Sequence, residues 1–265
     1  MKEEKSSPRI IYSCYDSVNR EGEHVIPEHV LSIILSGSQT VYLGGEAYYF
    51  KAGDIRFFRK NQLSKFVKHP PEGGEFKSLS IRLDKDTLHQ FSIIHHIYTD
   101  KPYEAIDLLL LKPNKLLSNY ITSLTPYIDG SSDVNEMLTM LKVNEAIMIL
   151  LQTDPRLKDV LFDFDAPGKI DLESFMNANY KFNVDINQFA YLTGRSLATF
   201  KRDFKRIFKL SPNRWIQAQR LHDAYFLIKE KRHKVSDVYM DVGFKDLSHF
   251  SFAFKQAYGI APSRI

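Results

Sequence analysis

The stretch SLATFKRDFKRIFK at residues 196–209 sets Lys201, Arg202, Lys205, Arg206 and Lys209 around a single acid, Asp203. Leu197, Phe200, Phe204 and Phe208 recur at i, i+3, i+7 and i+11, the spacing of one helix face turned to a core. The residues between them, Ala198, Thr199, Lys201, Arg202, Lys205 and Arg206, therefore point outward together. Cationic side chains on long stems, with small residues between, are able to hold phosphates and reach the edges of bases. Arg202 is the best-placed candidate for two parallel hydrogen bonds to a guanine. A solvated basic face is the plainer alternative.

The same helix is written twice. A shift of fifty places lays Leu197 on Leu247, Phe200 on Phe250, Phe204 on Phe254, Lys205 on Lys255 and Phe208 on Tyr258. In each copy a short helix precedes a tight turn, through Thr193 and Gly194 in the first and Gly243 in the second. That is a helix-turn-helix layout, in which the first helix braces and the second is free to enter a groove. The second copy is far less basic.

Positioning these helices requires an array of caps. Leu172 to Asn179 reads as one helix, and Asp185 caps a second running to Leu192. Ser196 caps the first groove helix, Pro212 opens a long helix through Glu230, and Ser236 caps a helix to about Val242. Asp246 caps the second groove helix. Ser and Asp accept orphan backbone N–H groups at helix starts, and Pro at a first position loses no bond. A joining helix of roughly 18 residues is about 27 Å long, which suits entry into successive major-groove segments one DNA turn of about 34 Å apart. Trp215, Ile216, Leu221, Ala224 and Leu227 are expected to anchor it between the two units.

Residues 9–83 read differently. RIIYSCY, HVLSIILSG, QTVYLGG, EAYYFKAGD, IRFFRK, SKFVKH and FKSLSIRL are short runs rich in Ile, Val, Tyr and Phe, separated by turn residues. Evenly spaced short strands read as a sandwich or small barrel. From about residue 84 the period turns helical, ending in VNEMLTMLKVNEAIMILLQ, which is apolar on more than one face. That helix is either buried or a subunit interface. TDPRLKDVLFDFDAPGKID is the linker candidate.

With 265 residues, two domains are expected. Residues 171–265 hold 16 Lys+Arg against 9 Asp+Glu, a charge of +7, whereas residues 1–170 carry −3. A basic C-terminal part suits a polyanion, because neutralising phosphates releases counterions. One cysteine, Cys14, excludes an intramolecular disulfide and a cysteine-rich metal site. The N-terminus lacks the apolar segment of a signal peptide, and no stretch approaches the roughly 18 apolar residues of a membrane span. The expectation is a cytoplasmic protein with no membrane partner.

RSLATFKRDFKRIFKLSPNRWIQAQRL and VGFKDLSHFSFAFKQAYGIAPS resemble the DNA-binding domain of the AraC/XylS family of bacterial transcription regulators, two helix-turn-helix units bridged by a long helix. The resemblance lies in the Gly-Phe pair, the phenylalanines at helical spacing, and the Gly then Pro near the end, over some 80 positions. It implies promoter DNA and RNA polymerase as partners, an activator more than a repressor, and a possible homodimer. The family's base-reading positions fall on Ala198, Lys201 and Arg202 in the first unit and on Leu247, Ser248 and Phe252 in the second. Thr199 and His249 stand beside them as further candidates. Phosphate contacts are expected from Arg195, Ser196, Lys205, Arg206 and Lys209, and from Lys245 and Lys255. Many relatives carry Arg where this chain has Phe252. Phe cannot hydrogen-bond a base, so Phe252 is either a contact to thymine methyls or a core aromatic, and discrimination is expected to rest on the first unit.

IPEHVLSIILSGSQTVYLGGEAYYFKAGDIRFFRKNQLSKF resembles the cupin-type barrel found ahead of such domains. The implied fold class is α+β multidomain: a cupin-like β-barrel with helices over residues 1–160, sensing a small molecule or a protein partner and dimerising, a linker at 161–170, and an all-α DNA-binding domain at 171–265. Enzymatic cupins hold a metal through His-x-His-x₃₋₄-Glu and a later His. Here His24 and His29 lie apart, no matching Glu follows, and Lys65 stands at the later position, which argues against a metal-dependent oxygenase. Tyr42, Tyr49 and Phe57, with Tyr48, Phe50 and Phe58, either line a ligand pocket or fill the barrel, and filling is favoured. No nucleophile constellation or phosphate loop is present, so no catalytic residue, metal or cofactor is assigned.

Overall fold

In the computed structural model, which describes residues 9–99, 107–127 and 135–265 and the side chains of these outside 20–24, the chain divides into two compact units. The last and longest stretch of the second unit is Ala166–Ile265.

Among the described residues before Ala166 there are nine strands: β1 (Ile10–Tyr15), β2 (Asn19–Ile26), β3 (His29–Ser36), β4 (Ser38–Leu43), β5 (Glu46–Lys51), β6 (Ile55–Phe58), β7 (Gln62–His69), β8 (Phe76–Leu83) and β9 (Leu108–Leu111). They form two open sheets, ordered β1-β8-β3-β6-β9 and β2-β7-β4-β5, so of the sandwich or small barrel expected the sheets do not close into a continuous ring. Closure needs the first and last strands of a sheet to pair, and nothing in a local strand pattern encodes that. Among the described residues α1 (Lys85–His95) lies between β8 and β9, and α2 (Lys115–Ser123), α3 (Glu136–Thr153) and α4 (Leu157–Leu161) follow β9.

The larger sheet is covered on both faces at its centre, so β6 is buried throughout and β3 over most of its length, while β8 alternates more. Leu31, Ile33, Phe57, Leu79 and Ile81 pack on the helices through Phe91, Leu117, Ile147, Leu150 and Val160. On the other face Ile34, Phe58 and Phe76 meet Val41, Leu43 and Phe50. Arg56 is buried there beside the rings of Phe50 and Phe58, with its guanidinium carbon 5.0 and 5.5 Å from the ring centres. It donates to Ser32 Oγ at 3.1 Å and to Gln39, and burial draws its pKa down to about 10 against the pull of Asp54.

The three pocket candidates do not converge. Phe57 is fully buried and stacked on His29 at 5.5 Å, whereas Tyr42 and Tyr49 are 42% and 68% exposed. His29 is itself buried, but the side chain of His24 lies outside the described residues, and with it the His24–His29 pairing. Among the described residues no group of three or more His, Cys, Asp or Glu is placed to hold a metal ion, and no helix is long and apolar enough to cross a membrane.

The second unit is helical: α5 (Leu172–Asn179), α6 (Ile186–Leu192), α7 (Leu197–Phe208), α8 (Pro212–Lys229), α9 (Val235–Asp241) and α10 (Leu247–Tyr258). The side chains of Asp171, Asp185, Ser196 and Asp246 each accept a backbone N–H at a helix start, and Asp185 forms a reciprocal capping box with Gln188. The expected cap at Ser236 does not form: α9 starts two residues earlier, with Lys234 at the cap position, and Ser236 lies in its first turn. Val235 packs against the buried cluster around Val238, so burial sets this helix start.

Candidate nucleic-acid interface

Helix α7 is oriented by its aromatic stripe. Phe200 and Phe204 are fully buried, their ring centres 5.5 Å apart, and Trp215 of α8 packs 5.6 Å from Phe204 and 4.4 Å from Phe208. Burying one such ring contributes roughly 2 to 3 kcal/mol. With that face fixed, Ala198, Lys201, Arg202, Lys205 and Arg206 are all exposed and Thr199 half-buried, forming one outward row.

The turn before α7 admits little variation. Thr193 is buried with its hydroxyl on the carbonyls of Phe189 and Ala190 at 2.9 and 3.0 Å. Gly194 has a φ of +64°, and a β-carbon there would stand 2.3 Å from the Gly168 carbonyl oxygen. Arg195, expected on phosphate, is instead turned inward. Its side chain is 7% exposed, pairs with Asp203 at 3.3 Å, and donates to the carbonyls of Ile170 and Thr193 at 2.9 and 2.6 Å. Burial pushes the Asp203 carboxyl up, but the Arg195 hydrogen bond and the charges of Arg206, Lys169 and Arg202 outweigh this and hold it low. Asp203 lies 3.9 Å from Arg202 and 3.7 Å from Arg206, so a negative charge underlies the outward basic row. Its place between Phe200 and Phe204, on the buried arc, was the available signal.

Ser196 combines two roles. It caps α7 through the Thr199 N–H at 3.3 Å and stays exposed at the helix N-terminus, where donors and dipole favour an anion. Lys209, in a left-handed conformation at φ 60°, closes α7 by donating from Nζ to the Arg206 carbonyl at 2.8 Å.

The second copy repeats the scaffold with different contacts outside. Phe250 and Phe254 are fully buried, and Phe244, Tyr225 and Tyr258 pack around them. Outward stand Leu247, Ser248, His249, Phe252 and Lys255, with Lys245 just ahead of the cap. Phe252 is 70% and Leu247 41% exposed, so Phe252 is no core aromatic.

The two copies meet across α8 through residues that periodicity does not reveal. Arg220 donates to the carbonyls of Tyr180, Phe182 and Gly243 at 2.8, 2.9 and 2.7 Å. Asp223, one turn on, accepts the Tyr180 hydroxyl at 2.5 Å and pairs with Lys181 at 2.8 Å. Beside this junction lies a cleft of about 400 Å³, with Asn183, Asp185, Asn213, Gln217, Lys245 and His249 on its walls.

Comparison with known proteins bears on both units. The family described as Helix-turn-helix domain matches residues 189–265, and the family described as ExsA N-terminal regulatory domain matches residues 29–160. Over 245 residues the chain is 26% identical to the thermoregulatory protein LcrF of Yersinia pestis, covering 88% of this chain and 87% of that protein. The same figures hold for the virulence regulon transcriptional activator VirF of Yersinia enterocolitica. It is 25% identical over 265 residues to the HTH-type transcriptional regulator ExsA of Pseudomonas aeruginosa, covering 96% and 91%.

Proposed function

Since the chain belongs to the AraC/XylS family of DNA-binding transcription regulators, with a regulatory unit ahead of the DNA-binding one, we propose that it activates transcription by laying α7 and α10 into successive major-groove segments of promoter DNA. The observation that carries this is the outward row of Ala198, Lys201, Arg202, Lys205 and Arg206, fixed by a buried aromatic stripe that itself recurs in frame fifty residues later. Arg202 reads a guanine, Lys201 and Thr199 orient beside it, and Ala198 leaves room for close approach. Lys205, Arg206, Lys245, Lys255 and the exposed Ser196 hold phosphates. Arg195 is left out because it is committed to Asp203. In the second unit Leu247 and Phe252 contact thymine methyls, with Ser248 and His249 available to base edges.

The regulatory unit receives a small molecule or a protein partner and makes a homodimer through α3, where Met137, Leu138, Leu141 and Met148 are exposed. The dimer contacts RNA polymerase in the cytoplasm. VirF, named as an activator, supports the sign of the response. A mobility-shift assay on promoter fragments tests the reading: sequence-dependent binding should weaken steeply with salt, as counterion release requires. Binding that ignores sequence, or ignores salt, would sink it.

A further inference from the structure

Two groove helices on one rod read DNA as a pair only if they keep a fixed rotation about that rod. Helix α8 alone does not provide this. Its 18 residues set a separation of about 27 Å, and each helix-turn-helix unit is seated on its own stretch of it, the first on Trp215 and the second on Leu221, Ala224 and Ile228. On B-DNA a rotational error of about 35° equals one base pair of register, since one turn takes 10 to 10.5 base pairs.

Side-chain bonds that reach both units converge on one guanidinium. Arg220 lies near the middle of α8 and bonds the carbonyls of Tyr180 and Phe182, in the loop that leads into α6, and the carbonyl of Gly243, in the turn between α9 and α10. The first two belong to the first helix-turn-helix unit and the third to the second. Both loops come close enough to touch: a β-carbon on Gly243 would stand 2.1 Å from the Lys181 carbonyl oxygen and 3.0 Å from the Arg220 guanidinium. Asp223 ties the same loop one turn further along, through Tyr180 and Lys181. A planar fork with five donors serves three carbonyls in fixed directions, which an ammonium group does not. These bonds run to loop carbonyls, so Arg220 acts on DNA through geometry.

We propose that Arg220 is a positioning residue that locks the two helix-turn-helix units in one register about α8 and thereby sets the spacing between the two DNA segments the protein accepts. The second half of this statement rests on the DNA-binding reading above; the first half does not.

The test uses the full chain in a Cys14→Ser background, with spin labels at Ala198→Cys and Ser248→Cys, and with Arg220 native, Arg220→Lys or Arg220→Gln. The expected distance distribution is narrow with native Arg220 and broad in both variants. A duplex selected by the native chain from a random pool, and derivatives with one to three base pairs inserted between its two protected segments, supplies the second measurement. Native binding should drop about a hundredfold on insertion of two base pairs, because a second contact out of reach loses its effective concentration. The variants should bind the parent duplex about tenfold more weakly, lose little more on insertion, and keep protection over the segment contacted by α7. Variants that melt cooperatively yet retain the narrow distribution and the native spacing preference would overturn the proposal. So would a broad distribution in the chain with native Arg220, a result that depends on no variant folding. A native chain that selects no duplex while its distribution stays narrow defeats the DNA-binding reading and supports the lock.

Discussion

Helices α7 and α10 are the same object inside and different objects outside. Each buries two phenylalanines four residues apart, closes its stripe with a further ring at Phe208 or Tyr258, and starts at a side-chain cap. Outside, α7 carries Lys201, Arg202, Lys205 and Arg206, whereas the corresponding row of α10 carries Ser251, Phe252, Lys255 and Gln256. A helical period of 3.6 makes this separation possible, because the residues that seat the helix and those that face a ligand share no positions. Packing was therefore free to stay constant while recognition diverged.

The sharpest way to break this comparison is to remove the seat. Phe204→Ala and Phe254→Ala each delete a fully buried ring, and each should cost about 3 to 5 kcal/mol in chemical denaturation. Equal losses support a shared scaffold; a loss below 1 kcal/mol at either site would mean that one copy is seated by something else. On the outside the prediction is unequal. Arg202→Ala should cost about 1 to 3 kcal/mol on a selected sequence and less on random DNA, whereas Phe252→Ala should cost less and leave the salt dependence unchanged. Equal loss on all sequences would move Arg202 to the phosphates.

What the sequence disclosed follows from the range over which each signal acts. The stripes of α7 and α10 and the caps at Asp185, Ser196 and Asp246 are encoded within four residues of themselves, and all form as read. Arg195 deceived because it stands ahead of the α7 cap, outside the helix whose spacing would have paired it with Asp203 eight residues on. Arg220 was invisible for the same reason, its acceptors being 40, 38 and 23 residues distant. In the regulatory unit, β9 went unread because a run of leucines at 108–111 carries no period, and it becomes a strand only through pairing with Ile55–Phe58. Whether Tyr42 and Tyr49 faced in or out depended on strand register, which a single strand does not declare.

The two units should also differ in which solution variable controls them. His29 is buried in the first unit; burial, then the charges of Lys60 and Arg59, holds its pKa down at about 3. The folded unit keeps it neutral while the unfolded chain, with a pKa near 6.5, takes up a proton below that value. More protons bound when unfolded means that stability rises with pH, so the contribution of His29 is full above about pH 6.5 and erodes as pH falls towards 3. The expected slope is about 1.4 kcal/mol per pH unit in that window, measured by denaturation at a series of pH values. His29→Gln should remove one proton's worth of slope; an unchanged slope would assign the acid sensitivity elsewhere.

The second unit should answer to salt, and there the smallest predicted effect is the most informative about the asymmetry of the two helices. Within α7 and α10, Lys205 and Lys255 are the one cationic pair that the fifty-residue shift preserves, both exposed and both one residue after a buried phenylalanine. If each meets a phosphate, Lys205→Ala and Lys255→Ala should each reduce the logarithmic salt slope of binding by about 1. Their effects on affinity should be uniform across sequences, unlike that of Arg202→Ala. A slope lost only with Lys205 would mean that α10 approaches the duplex without reaching its backbone there, and that Phe252 and Leu247 carry its contact through apolar surface alone.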